Sequence, residues 1–193
     1  MNKTVKTILI TLGVVVLVAA ILFAIFKFNG KAETGLSEVN SGDDLVALID
    51  EIYKGQTNLF SSLESAEIDV TDADTVAFNT GLVNGDNLEY LAVSQPLMSS
   101  QAYELVLAKV KPGVDANAVA KEMSENIDMN KWVCVSANKL YATSSGDIVF
   151  LVMAGEAEMA TPVYEKFKSL AGNVNEVYEK DAEEIELPPE ILL

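Results

Sequence analysis

The sequence predicts an α+β fold: an N-terminal transmembrane helix, then one domain in which an antiparallel sheet is packed by helices. Three observations lead to this fold class. A long apolar run near the N-terminus has the length of a membrane span. Strand-like apolar segments then come in hairpin-connected pairs, which favours antiparallel pairing. Segments with helical apolar spacing precede, separate and follow the pairs, and we expect these helices to cover one face of the sheet.

The membrane span is predicted over residues 8–26 (ILITLGVVVLVAAILFAIF), which contain no charged side chain. As a helix at about 1.5 Å per residue they would span about 28 Å, close to the hydrocarbon thickness of a bilayer. The run is longer than the apolar part of a signal peptide, and neither an A-x-A-like cleavage site nor a Cys for lipid attachment follows it. These features favour an uncleaved single-pass anchor behind a short tail, residues 1–7, over a cleaved signal peptide.

The orientation of the anchor is predicted from its flanks. Lys3 and Lys6 precede it and Lys27 and Lys31 follow it, so the positive-inside count is a tie. The free N-terminal amine and the short tail, which resembles the start of a secretory signal, favour an inside N-terminus. We therefore expect a cell-membrane protein with its C-terminal domain outside the cytoplasm.

The first part of the soluble region is predicted to be a flexible tether followed by two helices. Residues 27–42 are polar and contain Gly, as is typical of a tether. Ser41 and Asp44 form a capping box that opens a helix ending near Gly55. The inward stripe of this helix is Leu45, Leu48, Ile49 and Ile52. A shorter helix is predicted over 71–78, capped by Thr71 and Asp74, and residues 56–67 are ambiguous.

The strands and the remaining helices complete one domain, residues 43–172. Strands are predicted over 88–94, 103–110, 139–143 and 148–153, with a further extended segment over 132–135. Asp115 caps the helix between the pairs, with Ala116, Val119, Ala120, Met123 and Ile127 as its buried stripe. The last helix is predicted to start at Thr161-Pro162 and to stop at Gly172. Residues 173–193 form an acidic tail that is either disordered or docks through Ile191 to Leu193.

The composition excludes several kinds of chemistry. The chain has no His, its 13 basic residues are all Lys, and it has a single Cys. Imidazole acid-base catalysis, His- or thiolate-ligated zinc, an intrachain disulfide and an arginine finger are therefore excluded. Past the anchor, 11 Lys face 29 acidic residues, a charge of −18. Nucleic-acid binding is excluded as well, since it depends on neutralising phosphates.

A resemblance to a known family rests on two segments, 82–123 and 140–153 (LYATSSGDIVFLVM). The pattern in these segments consists of a strand that ends near small residues, a second strand preceded by an acidic residue, a helix that starts at Gly-Val-Asp, and a hairpin with a Gly turn. In this pattern the chain resembles an uncharacterised family of membrane-tethered or lipoprotein domains from low-GC Gram-positive bacteria. The resemblance implies an extracytoplasmic domain and transfers no catalytic residue. The family's lipid-attachment Cys is absent here, and a helix stands in its place.

One acidic cluster has some features of a metal site. Asp69, Asp72 and Asp74 lie in the sequence DVTDAD, and Ca²⁺ takes six to eight oxygen ligands. The Gly that a calcium loop requires is missing. Asp72 and Asp74 instead suit the first turn of a helix, where the helix dipole favours carboxylates. We therefore predict no metal site and no cofactor. The residues that would hold calcium under the alternative interpretation are Asp69, Asp72 and Asp74.

Three further features have a structural interpretation. The run Ser136 to Lys139 matches S-x-x-K, but the S-D-N and K-T-G partners of penicillin-recognising enzymes are absent. Cys134 lies between two valines in a β-like run and is predicted to be a buried, inert thiol. Trp132 is predicted to be a core residue rather than a ligand platform.

Taken together, the residues favour a non-enzymatic, membrane-anchored domain that binds a protein or a cell-envelope component. One alternative is an envelope hydrolase that uses a carboxylate pair or a Ser-Lys pair. Another is an accessory subunit of a membrane complex whose anchor carries contacts, although the span has no G-x-x-x-G pair. The sequence names neither the ligand nor the oligomeric state.

Overall fold

The computed structural model describes residues 35–57, 59, 62–98 and 100–182. The helices are α1 (Gly42–Tyr53), α2 (Ala73–Thr80), α3 (Ala116–Asn126) and α4 (Ala157–Ala171). The strands are β1 (Leu63–Glu67), β2 (Leu88–Pro96), β3 (Tyr103–Val110), β4 (Lys139–Ser145), β5 (Ile148–Ala154) and β6 (Tyr178–Asp181). The predicted anchor, residues 8–26, lies outside the described residues, and among the described helices none has the length and apolarity to cross a bilayer.

The six strands form one antiparallel sheet in the order β1-β2-β3-β5-β4-β6. The two predicted hairpins are β2–β3 and β4–β5, and they join through β3 and β5 at the centre of the sheet. The predicted α+β class with an antiparallel sheet is therefore confirmed. The edge strands β1 and β6 come from the ambiguous segment 56–67 and from the predicted acidic tail.

The helices cover both faces of the sheet, so the expectation that they cover one face is wrong. One apolar cluster packs α2 and α3 against the sheet, and the other packs α1 and α4 against the opposite face. The reason lies in the central strands, whose side chains are apolar on both faces. In β3 the first cluster receives Val106 and Ala108, and the second receives Leu105 and Leu107. A sheet of this kind must be covered twice.

The helix starts follow the predicted capping chemistry, with one correction. The Ser41 hydroxyl accepts a hydrogen bond from the Asp44 N–H (3.2 Å), and Asp115 accepts from the N–H groups of Asn117 and Ala118. The cap of α2 is Asp72, not Thr71 or Asp74: its carboxylate accepts from the Thr75 N–H (3.2 Å) and hydroxyl (2.7 Å). Asp72 can bond to both groups of Thr75, which makes it the better cap.

The last helix begins earlier than predicted. It starts at Ala157, so Pro162 lies inside the helix rather than at its first position. The additional helical turn before Thr161 is favoured because it brings Ala160 into the core with Val163 and Phe167. The Pro162 carbonyl accepts a hydrogen bond from Gln56 Nε2 (3.2 Å), which ties α4 to the end of α1. The predicted stop at Gly172 is confirmed, with φ +73°.

Two segments differ from their predicted conformation. Residues 132–135 form a loop instead of an extended run, because Cys134 adopts φ +65° and turns the chain. Residues 35–41, from the end of the predicted tether, pack on the domain. The Gly35 N–H donates to the Ala171 carbonyl (2.8 Å), and Val39 is buried in the cluster with α1 and α4.

The two ends of the sheet differ in what they carry. We call the end where β2 and β5 finish and β3 and β4 begin the apical end, and the opposite end the basal end. The described chain enters at the basal end, where Lys109 Nζ, near the finish of β3, donates to the Val39 carbonyl (2.7 Å). The described chain finishes at the apical end, where the Ala182 N–H donates to the Asn138 carbonyl (2.9 Å).

Candidate functional site

A buried ion pair lies at the apical end of the sheet. Glu104 is the second residue of β3, and its side chain points toward the face covered by α2 and α3. Lys131 lies in the loop between α3 and β4, and its ammonium contacts Glu104 Oε2. The side chains of Glu104 and Lys131 are 0% and 3% exposed. Charged side chains are almost never buried this fully without a partner, so the pair is a specific feature of this end.

The surroundings of the pair connect it to α2. Lys131 Nζ donates a hydrogen bond to the Phe78 carbonyl (2.9 Å), in the last turn of α2. The same ammonium lies 4.4 Å from the centre of the Phe78 ring and 5.6 Å from that of Trp132, so it makes cation–π contacts with both. Apart from the Lys131 ammonium, by contrast, neither carboxylate oxygen of Glu104 has a hydrogen-bond partner in the described part of the chain. The Lys131 ammonium therefore has more polar and aromatic partners than the Glu104 carboxylate has.

Burial changes the proton affinity of both groups. Desolvation raises the pKa of Glu104 from 4.5 to about 7, and the nearby Lys131 ammonium offsets this only in part. Desolvation also lowers the pKa of Lys131, against the attraction of Glu104 and Asp128. Glu104 therefore changes its charge near neutral pH, where an ordinary carboxyl is fully ionised.

Four large apolar side chains on segments at the apical end are exposed, and we call them the apical surface: Phe78, Leu97, Met98 and Val133. Their exposed fractions are 55%, 68%, 54% and 65%. Leu97 and Met98 directly follow β2, beside the start of β3. Phe78 and Val133 belong to the two segments that the Lys131 side chain links, α2 and its own loop. Large apolar side chains left exposed at one end of a domain are typical of interaction sites.

Several acidic side chains also lie toward the apical end. Asp128 lies in the same loop as Lys131, Glu156 precedes α4, and Glu179 and Asp181 lie on β6. The two β6 carboxylates bind the Lys139 ammonium, Asp181 at 2.7 Å, and hydrogen bonds to Asp181 and then Glu179 raise the pKa of Lys139. The Lys139 ammonium is thus already neutralised, and this group of side chains keeps a negative character.

The calcium candidates lie elsewhere and are occupied by local hydrogen bonds. Asp69 accepts from the Thr71 N–H (2.8 Å) and hydroxyl (2.7 Å), Asp72 caps α2, and Asp74 lies in the first turn of α2. Within the ranges that the structure describes, no group of three acidic or Cys side chains is placed to hold a metal ion. The carboxylates of Asp69 and Asp72 serve to turn the chain into α2.

The S-x-x-K run is not arranged as a nucleophile and base. Ser136 lies in the loop and Lys139 begins β4, where Glu179 and Asp181 hold its ammonium. A Lys whose pKa is raised stays protonated and cannot take a proton from a serine hydroxyl. Trp132 is partly buried against the cluster of α2 and α3. Cys134 is exposed, so the prediction of a buried thiol is wrong.

The ion pair and the apical surface do not emerge from the sequence patterns, although one signal is present. Glu104 and Lys109 are the two charged residues of the run YELVLAKV, and an acidic residue inside a central strand indicates a buried charge that needs a cation. Which of the 13 Lys supplies that cation depends on the path of the loop after α3.

Comparisons of the chain with protein-family models, with curated proteins and with solved structures find no match. What can be said of function therefore comes from the chain's own residues and their geometry.

Proposed function

We propose that this chain is a single-pass membrane protein whose domain lies outside the cytoplasm and binds a protein or envelope component without catalysis. The observation that carries the proposal is the apical surface: Phe78, Leu97, Met98 and Val133 are all more than half exposed at one end of the sheet. Leaving large apolar side chains in water costs free energy, and such side chains are commonly exposed at interaction sites. A protein partner is favoured over a sugar because the exposed groups are apolar.

The position of this surface within the domain supports a role in binding. The described chain enters at the basal end, where Gly35 bonds to Ala171 at the end of α4. The apical surface lies at the other end of the sheet, so the point of entry does not cover it.

The charges at the apical end favour a particular kind of partner. Asp128, Glu156, Glu179 and Asp181 lie toward the same end of the sheet as the apical surface, and the chain as a whole carries −16. Potentials of this sign attract a partner with Lys or Arg beside its apolar side chains and repel anionic lipid. We therefore expect a protein partner with a basic, partly apolar contact face.

The hydrolase alternative has less support. A catalytic carboxyl or amine must touch its substrate, and Glu104 and Lys131 are 0% and 3% exposed. Two surface depressions, one lined by Ala157 to Pro162 and one by residues 67–70 with Glu89 and Tyr90, lie apart from the pair. Both depressions are open to solvent rather than enclosed.

The test is site-specific photo-cross-linking of the full-length protein in its native membrane. A photoreactive residue at position 78 or 133 should capture a discrete protein, since both positions lie on the apical surface. The matched control is position 147, an exposed residue in the β4–β5 turn at the basal end. Capture at 78 and 133 but not at 147 supports the proposal. Equal capture at all three positions, or capture at 147 alone, contradicts it.

A further inference from the structure

One edge of the sheet is formed by β1, whose outer side has no neighbouring strand in the described part of the chain. The ladder with β2 determines which backbone groups lie on that side. The Ile68 N–H donates to the carbonyl of Leu91, directly opposite it (2.8 Å), so the even-numbered residues of this segment bond to β2. The N–H and C=O groups of Leu63, Ser65 and Glu67 therefore point outward. An edge of this kind is a template for another strand.

The two edge strands differ in the state of their charges. On β6, the carboxylates of Glu179 and Asp181 already bind the Lys139 ammonium. On β1, Glu64 and Glu67 are exposed, and neither forms an ion pair with any residue that the structure describes. A basic strand would therefore gain more from pairing with β1 than with β6.

The surroundings of β1 change from apolar to acidic between its two ends. At the apical end, the N–H of the exposed Leu97 donates to the carbonyl of the residue that precedes β1 (3.2 Å). An open depression of about 390 Å³ follows the basal end. Glu67 and Asp69 line it together with Glu89, which is paired with Lys109 (3.2 Å). The edge thus continues the apical surface at one end and leads into carboxylates at the other.

We propose that β1 is a docking edge for an extended segment of a partner protein, which adds to the sheet as an antiparallel strand. Since β1 runs from the apical to the basal end, the added strand begins at the depression, where it carries Lys or Arg. It ends beside Leu97 and Met98, where it carries apolar side chains. In this mode of binding, main-chain hydrogen bonds supply affinity and the side chains supply selectivity.

This inference deepens the proposed function and rests on it for the existence of a protein partner. It adds the conformation and the charge pattern of the segment that binds. An antiparallel strand is favoured because antiparallel pairing is slightly more stable than parallel pairing. A second copy of this chain is disfavoured as the occupant, because each copy carries −16.

The probe is the synthetic peptide KTKVTKVL, whose sequence is matched to this edge. In antiparallel pairing its third, fifth and seventh residues oppose Glu67, Ser65 and Leu63, and its sixth residue, a lysine, opposes Glu64. The N–H of the fifth residue then faces the Ser65 carbonyl, whereas the N–H of the fourth points away from β1. N-methylation of the fifth residue removes a bond to β1. N-methylation of the fourth removes none and keeps the same charge, so it is the matched control.

The test is hydrogen exchange of the full-length protein in a mild detergent, with and without the peptide. At saturating peptide the amides of Leu63, Ser65 and Glu67 should gain at least about tenfold protection. Those of Glu64 and Ala66, which already bond to β2, should not change. N-methylation of the fifth residue should weaken binding at least about tenfold, and N-methylation of the fourth less than about twofold. The acidic peptide ETEVTEVL should not bind.

A charge reversal in the protein tests the same pairing from the other side. Glu64→Lys should weaken binding of KTKVTKVL at least about threefold, because an attraction across the strands becomes a repulsion. The matched control is Asp147→Lys, which makes the same change of charge at an exposed position in the β4–β5 turn. It should change the affinity less than about twofold. The methylated peptides need no protein variant, so the test does not depend on the folding of either one.

Three results would overturn the docking edge. One is that KTKVTKVL does not bind, and another is that it binds equally well when its fifth residue is methylated. The third is strong protection of the Leu63, Ser65 and Glu67 amides in the free protein, which would mean that another segment or a second copy already occupies the edge. The titration needs no natural partner. Failed cross-linking at positions 78 and 133 would therefore refute the proposed function alone, and a failed titration would refute the docking edge alone.

Discussion

Gly81 ends α2 with its backbone against that of Ile127, the residue that ends α3. Gly81 adopts φ +74°, and a Cβ built on it would lie 2.6 Å from the Asn126 carbonyl carbon and 2.8 Å from the Ile127 Cα. The two helices thus meet at a residue without a side chain. This contact sets how closely Phe78, one turn earlier, approaches the loop that carries Lys131.

Substituting Gly81 should therefore lower the stability of the domain by more than its positive φ alone predicts. Gly81→Ala is expected to lower the free energy of unfolding by about 3 kcal/mol or more, from backbone strain plus a clash with backbone atoms. Gly113→Ala is the control, because Gly113 has φ +89° with nothing within 4 Å of a built Cβ. It should lose only about 1 kcal/mol. Urea unfolding of both variants measures the difference, and equal losses would show that the close approach is unimportant.

Removing the cation of the buried pair should make stability strongly dependent on pH. Lys131→Met leaves Glu104 buried without its partner, which raises the pKa of Glu104 further. Because a raised carboxyl pKa means stability that is present in acid and lost as pH rises through it, the variant should be destabilised by about 3–5 kcal/mol at pH 8 and much less at pH 5.

The control for this prediction is Lys139→Met. Lys139 also binds carboxylates, but Glu179 and Asp181 are 50% and 73% exposed and can be solvated when the ammonium is removed. A loss of about 1 kcal/mol or less, with little pH dependence, is expected from urea unfolding at pH 5 and pH 8. If Lys131→Met behaved like Lys139→Met, the pair would not be the buried contact described here.

Polar substitutions on the apical surface should remove binding and spare the fold. The double variant Phe78→Ser/Val133→Ser deletes an exposed branched side chain and a half-exposed ring that contacts the Lys131 ammonium, so its unfolding free energy should fall by no more than about 2 kcal/mol. Capture of the partner by a photoreactive residue at position 97 should fall at least about tenfold, as for loss of an apolar anchor. Val83→Ser, at a position 80% exposed but not part of the apical surface, is the control. Unchanged capture in the double variant would count against this surface.

The single thiol offers a direct check of the loop. Cys134 is exposed, so a maleimide should label it in the native protein at nearly the rate seen in urea. Cys134→Gly should leave stability unchanged or raise it by up to about 1 kcal/mol, because φ +65° suits glycine. A thiol that labels only after unfolding would mean that the loop packs as the β-like run that its sequence suggests.

The difference between prediction and structure at this loop has a clear physical cause. The pattern WVCV has the composition of a buried strand, and local propensity favours an extended conformation. In the structure Lys131 must reach Glu104 while Ala137 returns to the core, and this requires a turn between them. Tertiary contacts therefore override the local preference, and the side chains of Val133 and Cys134 face outward.

Local sequence patterns were sufficient to predict most of the elements and to exclude several kinds of chemistry. The central strands, the caps Ser41 and Asp115, and the stop at Gly172 follow from local periodicity and capping, which act within a few residues. The lack of His and Arg excludes whole classes of site without any structure. The anchor over 8–26 and its orientation stay predictions from the same kind of reasoning.

Long-range packing determines which faces of the sheet are covered, which lysine neutralises Glu104 and which apolar side chains are left outside. Each of these depends on contacts between residues far apart in the chain: Phe78, Glu104 and Lys131 come from three separate elements. Burial and charge pairing are properties of an assembled neighbourhood, and their energies exceed the local preferences that a sequence pattern records. The apical end is therefore visible only once the strands and helices are packed together.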